Sequence, residues 1–263
     1  MVGNVLKVAT YNANSIRARM DAILSWLAKE SPDVVCVQET KVQDADFPAT
    51  PLEDAGYQVV FRGQKAHAGV AVITQGEFAN VTFGIDDDEE PDEPRLIRGT
   101  IHGIHVVNTY VPQGRSPDSE HFQYKLHWFE RLRAMFDRHY APDDMLLWAG
   151  DFNVAPLDID VHDPKRLAKH VDFHPDAKAA LENVREWGFE DVFRRLHPDE
   201  PEQYSYFDYR VRDAVGRGLG WRVDHIWATE PLARKATKSW IDVEARRGER
   251  PSDHTFVVAE FSI

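Results

Sequence analysis

The sequence predicts an α/β fold in which mixed β-sheets pack together with helices outside. Strand-like apolar runs recur along the whole 263-residue chain, helical periodicity appears between only some of them, and three consecutive runs have no helix between them. The runs fall at 5–11, 34–38, 57–61, 68–74, 96–101, 104–110, 145–149, 223–228 and 255–262. After the first, Asn14-Ser15 precedes Ile16, Ile23, Leu24 and Leu27, which predicts a capped amphipathic helix ending before Ser31-Pro32. His102-Gly103 reads as the turn of a hairpin between 96–101 and 104–110, so a purely parallel sheet is excluded. Residues 119–140 place Phe122, Leu126, Phe129, Leu132 and Phe136 on one helical stripe, and 176–187 form a third helix.

Hydrophobic content of 43% supports a sizeable core, and with no linker or repeat in view we expect a single domain over 1–263. No stretch approaches the roughly 20 apolar residues that span a bilayer, and no leader pattern precedes the first strand. The lone cysteine, Cys36, sits in the apolar run VVCV as an expected core residue. That usage suits a reducing, cytoplasmic setting without a membrane partner.

Net charge is −13, which argues at first against a polyanionic partner. Residues 86–93 (DDDEEPDE) hold seven acids, read as a solvated loop, and without them the balance is −6. If Glu39, Asp151, Asp224 and Asp253 surround a divalent cation, −2 remains. Arg210, Arg212, Arg217 and Arg222, and again Arg246, Arg247 and Arg250, then form locally basic loops able to hold phosphates, with weak long-range steering.

The most informative stretch is Met145-Leu146-Leu147-Trp148-Ala149-Gly150-Asp151-Phe152-Asn153, an apolar run ending in a carboxylate and a carboxamide. Extended backbone would put Asp151 and Asn153 on one face; the alternative is an Asx-type turn. Other strand runs end the same way: in Asn12 and Asn14, in Glu39, in Tyr110, at Asp224 and at Asp253-His254. Six polar strand ends are hard to read as six independent turns.

The segments NANSIRAR (12–19), QETK (38–41), GVAVIT (69–74), GDFNVAPLDIDV (150–161), YSYFDYR (204–210), GWRVDHIWAT (220–229) and RRGERPSDH (246–254) resemble the exonuclease III family of abasic-site endonucleases. The resemblance runs from about residue 5 to 261, and GDFN and SDH are shared with the wider endonuclease/exonuclease/phosphatase superfamily. It implies a four-layered α/β sandwich, two mixed, mainly antiparallel sheets face to face with helices outside. It also implies a Mg²⁺-dependent phosphodiesterase, with Mn²⁺ able to substitute. Glu39 is then the principal metal carboxylate, with Asp253 and Asn12 or Asn14 nearby. The family often carries an acid where this chain has Asn14. Asp151 would activate water and Asn153 would hold it or the phosphate. His254, paired with Asp224, and Tyr110 would contact phosphoryl oxygens. Tyr206 stands where the family commonly has Trp, and with Phe207, Tyr209, Arg210, Arg212 and Trp221 it would form an aromatic and basic wall for an extruded abasic sugar. Gln113 completes the expected substrate-binding set. His162, His170 and His174 border the expected cleft and are read as solvated loop residues.

The expected activity is incision of double-stranded DNA 5′ to an abasic site, leaving a 3′-hydroxyl and a 5′-phosphate, by a monomer that also has 3′–5′ exonuclease and 3′-phosphodiesterase activity on duplex ends. The competing readings are a phosphodiesterase or phosphatase of the same superfamily acting on RNA, an inositol phosphate or a sphingolipid, and a non-catalytic DNA-binding module. FDYR and RRGERPSDH weigh against the first, and the complete set of polar strand ends weighs against the second.

Overall fold

The computed structural model describes residues 4–89 and 93–263, so Glu90 to Asp92 of the acidic run lie outside the described residues. In chain order the first half reads β1 (Val5–Asn12), α1 (Ile16–Glu30), β2 (Val34–Gln38), α2 (Thr50–Asp54), β3 (Gln58–Gln64), β4 (His67–Thr74), β5 (Ala79–Phe83), β6 (Leu96–Ile101) and β7 (Ile104–Tyr110). The second half reads α3 (Glu120–His139), β8 (Leu146–Asp151), α4 (Pro164–Leu167), α5 (Pro175–Arg185), β9 (Phe189–Asp191), α6 (Val192–Leu196), β10 (Asp224–Thr229), α7 (Glu230–Ala233), β11 (Ala236–Asp242) and β12 (Phe256–Ser262). The strands form two six-stranded sheets, ordered β11-β12-β1-β2-β4-β3 and β5-β6-β7-β8-β10-β9. Among the described residues only β1/β2 and β7/β8 are parallel, and α1 and α3 lie between their members in the chain. That makes the sheets mixed and mainly antiparallel.

Alternation along the central strands builds the layers. Val34 and Cys36 join Leu147, Ala149, Ile226 and Ala228 in the core between the sheets, while Val35 and Val37 face the core that includes Ile23, Trp26 and Leu27 of α1. On the other side Leu146 and Trp148 pack with Phe122, Phe129, Leu132 and Phe136 of α3 and Leu181 of α5. Three buried layers between four structural ones result, as expected for sheets covered on both faces.

Two local expectations change. Ser15, at φ +89°, makes no side-chain cap bond; the Ile16 N–H is met instead by the Thr40 carbonyl at 3.1 Å, and the Asn14 side chain is engaged with Asp253 and Lys41. The acids before residue 90 are not a freely solvated loop: Arg131 of α3 holds Asp87 through two hydrogen bonds of 2.7 Å, and His127 meets Glu89 at 2.8 Å. The hairpin at His102-Gly103 is present, with both residues at positive φ and Ile101 paired to Ile104.

Candidate active site

The two parallel pairs deliver their C-terminal ends to one place. In the second sheet, Tyr110 and Asp224 both lie opposite Asp151 in register, so three functional groups stand in a row across β7, β8 and β10. In the first sheet, Asn12 pairs with Gln38, and Glu39 follows directly. A buried polar stitch joins the sheets just behind: Gln38 Nε2 donates to Asn108 Oδ1 at 2.8 Å, and Asn108 Nδ2 to the Ala71 carbonyl at 2.9 Å.

Asn12 binds the halves together, its Nδ2 donating at 2.8 Å to both Glu39 Oε1 and Asp151 Oδ2. Lys41 Nζ lies 2.6 Å from Glu39 Oε2 and 2.6 Å from Asn14 Oδ1, and Asn14 Nδ2 donates to Asp253 Oδ1 at 2.9 Å. His254 Nδ1–H donates to Asp224 Oδ2 at 2.8 Å, which turns Nε2 toward Asp151 Oδ2, 3.9 Å away. Ser252, without a role in the sequence reading, ties this corner together by donating to the Asn12 carbonyl at 2.7 Å.

Asp151 and Asn153 do not share a face by strand alternation. Asn153 has φ +49°, and its backbone N–H donates to Asp151 Oδ1 at 2.8 Å, an Asx-type turn that still holds both at the site. Asn153 Nδ2 donates to the Val111 carbonyl at 2.9 Å. Gly150 is required just before: a Cβ there would collide with the Thr109 carbonyl oxygen. Asn14, Glu39 and Lys41 also adopt left-handed backbone, at φ +43°, +51° and +52°. Each such backbone must be held in place by its surroundings, and here the hydrogen bonds just described do so.

Electrostatics follow from burial. Desolvation, and then the charge of Asp224, push Asp151 up to about 8. Burial opposes a charge on His254, but Asp224 and Asp151 outweigh it and raise the imidazole to about 10. Burial would also raise Glu39, yet the Lys41 ammonium and the Asn12 hydrogen bond hold it below the ordinary value. Burial, with Glu39 and Asp151 adding, keeps the Tyr110 phenol well above its usual range and therefore protonated.

Glu39, Asp151 and His254 offer ligand atoms within 4.8 Å of one another, so this acidic group could hold a metal ion. Donor chemistry fits a hard divalent cation on oxygen: Glu39 and Asp151 are carboxylates, while Asp224 and Asp151 bias His254 toward its protonated, donating form. Asp253 stands behind them, reaching Glu39 through Asn14 and Lys41.

The expected substrate wall divides. The half-buried Tyr206 pairs through its backbone with both Trp221 and His254, and its ring lies 4.9 Å from that of His254. Trp221, 7% exposed, packs with Val161, Phe173 and Val223, and the exposed His170 ring sits 4.6 Å from it. Phe207 is not part of a wall. It is 3% exposed and packs with Tyr204 and Ala214 inside the loop. Arg222 is not a loop cation either: it is fully buried against Asp160 and Asp191. Arg210 and Arg212 are exposed, Arg210 folding back onto Asp208 at 2.6 Å. Tyr209, exposed, has Arg19 Nη2 at 3.0 Å from its hydroxyl and Arg246 over its ring. Gln113 bonds Asp172 through Nε2 at 3.2 Å. His174 caps α5, and His162 donates to the Gly220 carbonyl. Sequence reasoning left Lys41 and Lys125 without roles. The signal for Lys125 was a lysine on the stripe of Phe122, Phe129 and Leu132.

Residues 9–254 match the endonuclease/exonuclease/phosphatase family. Exodeoxyribonuclease III of Haemophilus influenzae is 33% identical over 267 aligned residues, which cover 97% of this chain and 100% of that protein. An AP endonuclease structure from Archaeoglobus fulgidus superposes with a TM-score of 0.95 at 48% identity, covering 98% of this chain and 100% of the other. The 3′ phosphatase NExo from Neisseria, solved with a product DNA hairpin, gives 0.93 at 33% identity over 98% and 100%. Described helices include none long and apolar enough to cross a membrane. The chain belongs to the endonuclease/exonuclease/phosphatase family, among its exodeoxyribonuclease III and AP endonuclease members.

Proposed function

We propose that the chain is a Mg²⁺-dependent DNA-repair nuclease. It hydrolyses the phosphodiester 5′ to an abasic site in duplex DNA, leaving a 3′-hydroxyl and a 5′-phosphate, and acts as a monomer. The observation that carries this reading is the seating of Tyr206 against His254: an aromatic face for a sugar without a base lies beside the imidazole that Asp224 orients.

An unactivated phosphodiester resists attack because its own charge repels the nucleophile. Glu39, with Asp253, Asn12 and Asn14 around it, would hold Mg²⁺, which would supply positive charge against the negative charge building on the phosphate. In its carboxylate form Asp151, a stronger base for its burial, would take a proton from the attacking water, and Asn153 would hold that water or the phosphate. The protonated His254 donates from Nε2 to a nonbridging oxygen, and the Tyr110 phenol donates to the same phosphate. In-line attack expels the 3′ oxygen.

The similarity to a Neisseria 3′ phosphatase favours a second use of the same site, removal of blocking groups from 3′ ends. A duplex carrying one tetrahydrofuran abasic analogue, and another ending in a 3′-phosphate, test both with Mg²⁺ and with EDTA. The expected result is a Mg²⁺-dependent nick 5′ to the lesion. Cleavage of some other phosphoester with no nick at the lesion overturns the assignment.

A further inference from the structure

Lys125 of α3 is among the largest fully buried side chains, on a helical face otherwise given to Phe122, Phe129 and Leu132. A buried ammonium is costly unless every proton is satisfied, and an apolar residue would pack there equally well. Its Nζ donates to the Asn153 carbonyl at 2.6 Å, the Gln113 carbonyl at 3.2 Å and Asp172 Oδ1 at 3.2 Å. These three acceptors lie on three segments: the loop after β7, the turn after β8 and the approach to α5. Asp172 closes the knot, accepting Gln113 Nε2 at 3.2 Å and taking the Ala155 N–H on its carbonyl at 2.8 Å. Burial pushes the ammonium toward deprotonation and Asp172 opposes this.

We propose that Lys125 is a positioning residue that fixes the turn carrying Asn153 and the loop carrying Gln113 against the substrate phosphate. The proposal rests on the phosphodiesterase reading above. Asn153 sits at a left-handed φ of +49°, so its backbone must be over-determined. Its N–H is tied to Asp151 and its side chain to Val111; the Lys125 ammonium supplies the tether on its carbonyl. Without that tether two carbonyls lose this donor and Asp172 is left with Gln113 Nε2, and the turn can relax by the ångström or so that costs about 100-fold in rate.

Lys125→Met keeps the stem and removes the charge, and Lys125→Arg restores a cation. On the abasic duplex with Mg²⁺, Lys125→Met is expected to lower kcat about 100-fold with KM within about threefold, and Lys125→Arg to recover about tenfold of the loss. Amide hydrogen exchange at Asn153 should accelerate while Leu147 and Trp148 inside β8 stay protected. A kcat per folded molecule within about threefold of wild type, or unchanged protection at Asn153, overturns the proposal. If Lys125→Met does not fold, Asp172→Asn carries the test, with faster exchange at Arg115, whose N–H is held by Gln113 Oε1 at 2.8 Å. Failure of the wild type to cut abasic DNA would sink the substrate reading, whereas the exchange measurement still decides the role of Lys125.

Discussion

Strand β10 carries a buried, histidine-containing cluster on each face, and the two differ in ionic balance. On one face Asp224 bonds His254 and lies opposite Asp151, and through Asn12 and Asn14 the cluster extends to Glu39 and Asp253, four carboxylates against the cations of Lys41 and His254. On the other, His225 adjoins Arg222, Asp160, Asp191 and Arg194, two carboxylates against two guanidiniums. The imidazoles respond in opposite directions. Burial and then Arg222 lower His225 to about 4, so it stays neutral, accepting from Arg222 on Nδ1 and donating from Nε2 to the Val154 carbonyl. His254 is raised to about 10. A balanced, fully bonded cluster needs nothing further and supports the fold; an unbalanced one makes the Asp151 carboxylate more basic and favours a cation.

Substitutions should therefore separate activity from stability. Asp151→Asn is expected to lower incision about 10³-fold or more while leaving the urea midpoint unchanged or raised, since it relieves surplus charge; near-wild-type turnover would remove Asp151 from the mechanism. Arg222→Met should do the reverse, costing roughly 3 kcal/mol in unfolding free energy by leaving Asp160 to Arg194 alone and Asp191 without its guanidinium, with kcat per folded molecule little changed. A marked drop in kcat without loss of stability would erase the distinction between the faces. The next effect is in pH. Burial would raise Asp160, but Arg222 and Arg194 hold it down to about 2 from 3.8. Its contribution is thus complete above pH 3.8 and is lost as pH falls through 2, roughly 2 kcal/mol in all. Urea unfolding of wild type and Asp160→Asn between pH 5 and pH 2 should show the steeper loss in wild type; parallel curves would contradict it. Smallest is Tyr206→Ala, expected to weaken abasic incision about fivefold more than exonuclease digestion of an intact duplex end. Equal losses would deny Tyr206 a part in selecting the abasic sugar.

The architecture was legible where burial was two-sided. All nine expected runs correspond to strands, and the three that went unseen, β5, β9 and β11, lie at sheet edges. Edge strands are half solvated, so ANVTF, FED and ATKSWID carry little apolar signal. Helices α2, α4, α6 and α7, of four or five residues each, are too short for periodicity to register. At the site, the polar strand ends announced themselves because a carboxylate after an apolar run is anomalous. What stayed hidden was tertiary: Arg222 looked like one loop cation among several, and only the packing of 157–160 against β9 and β10 explains its burial. Phe207 shares a motif with Tyr206 but turns into its own loop.

The unbalanced face of β10 is the proposed seat of the cation and of catalysis. Calorimetric titration of Mg²⁺ into wild type, Glu39→Gln and Asp160→Asn tests it most directly. The expected result is saturable binding in wild type and Asp160→Asn that disappears in Glu39→Gln. Undiminished binding in Glu39→Gln, or its loss in Asp160→Asn, would place the cation elsewhere.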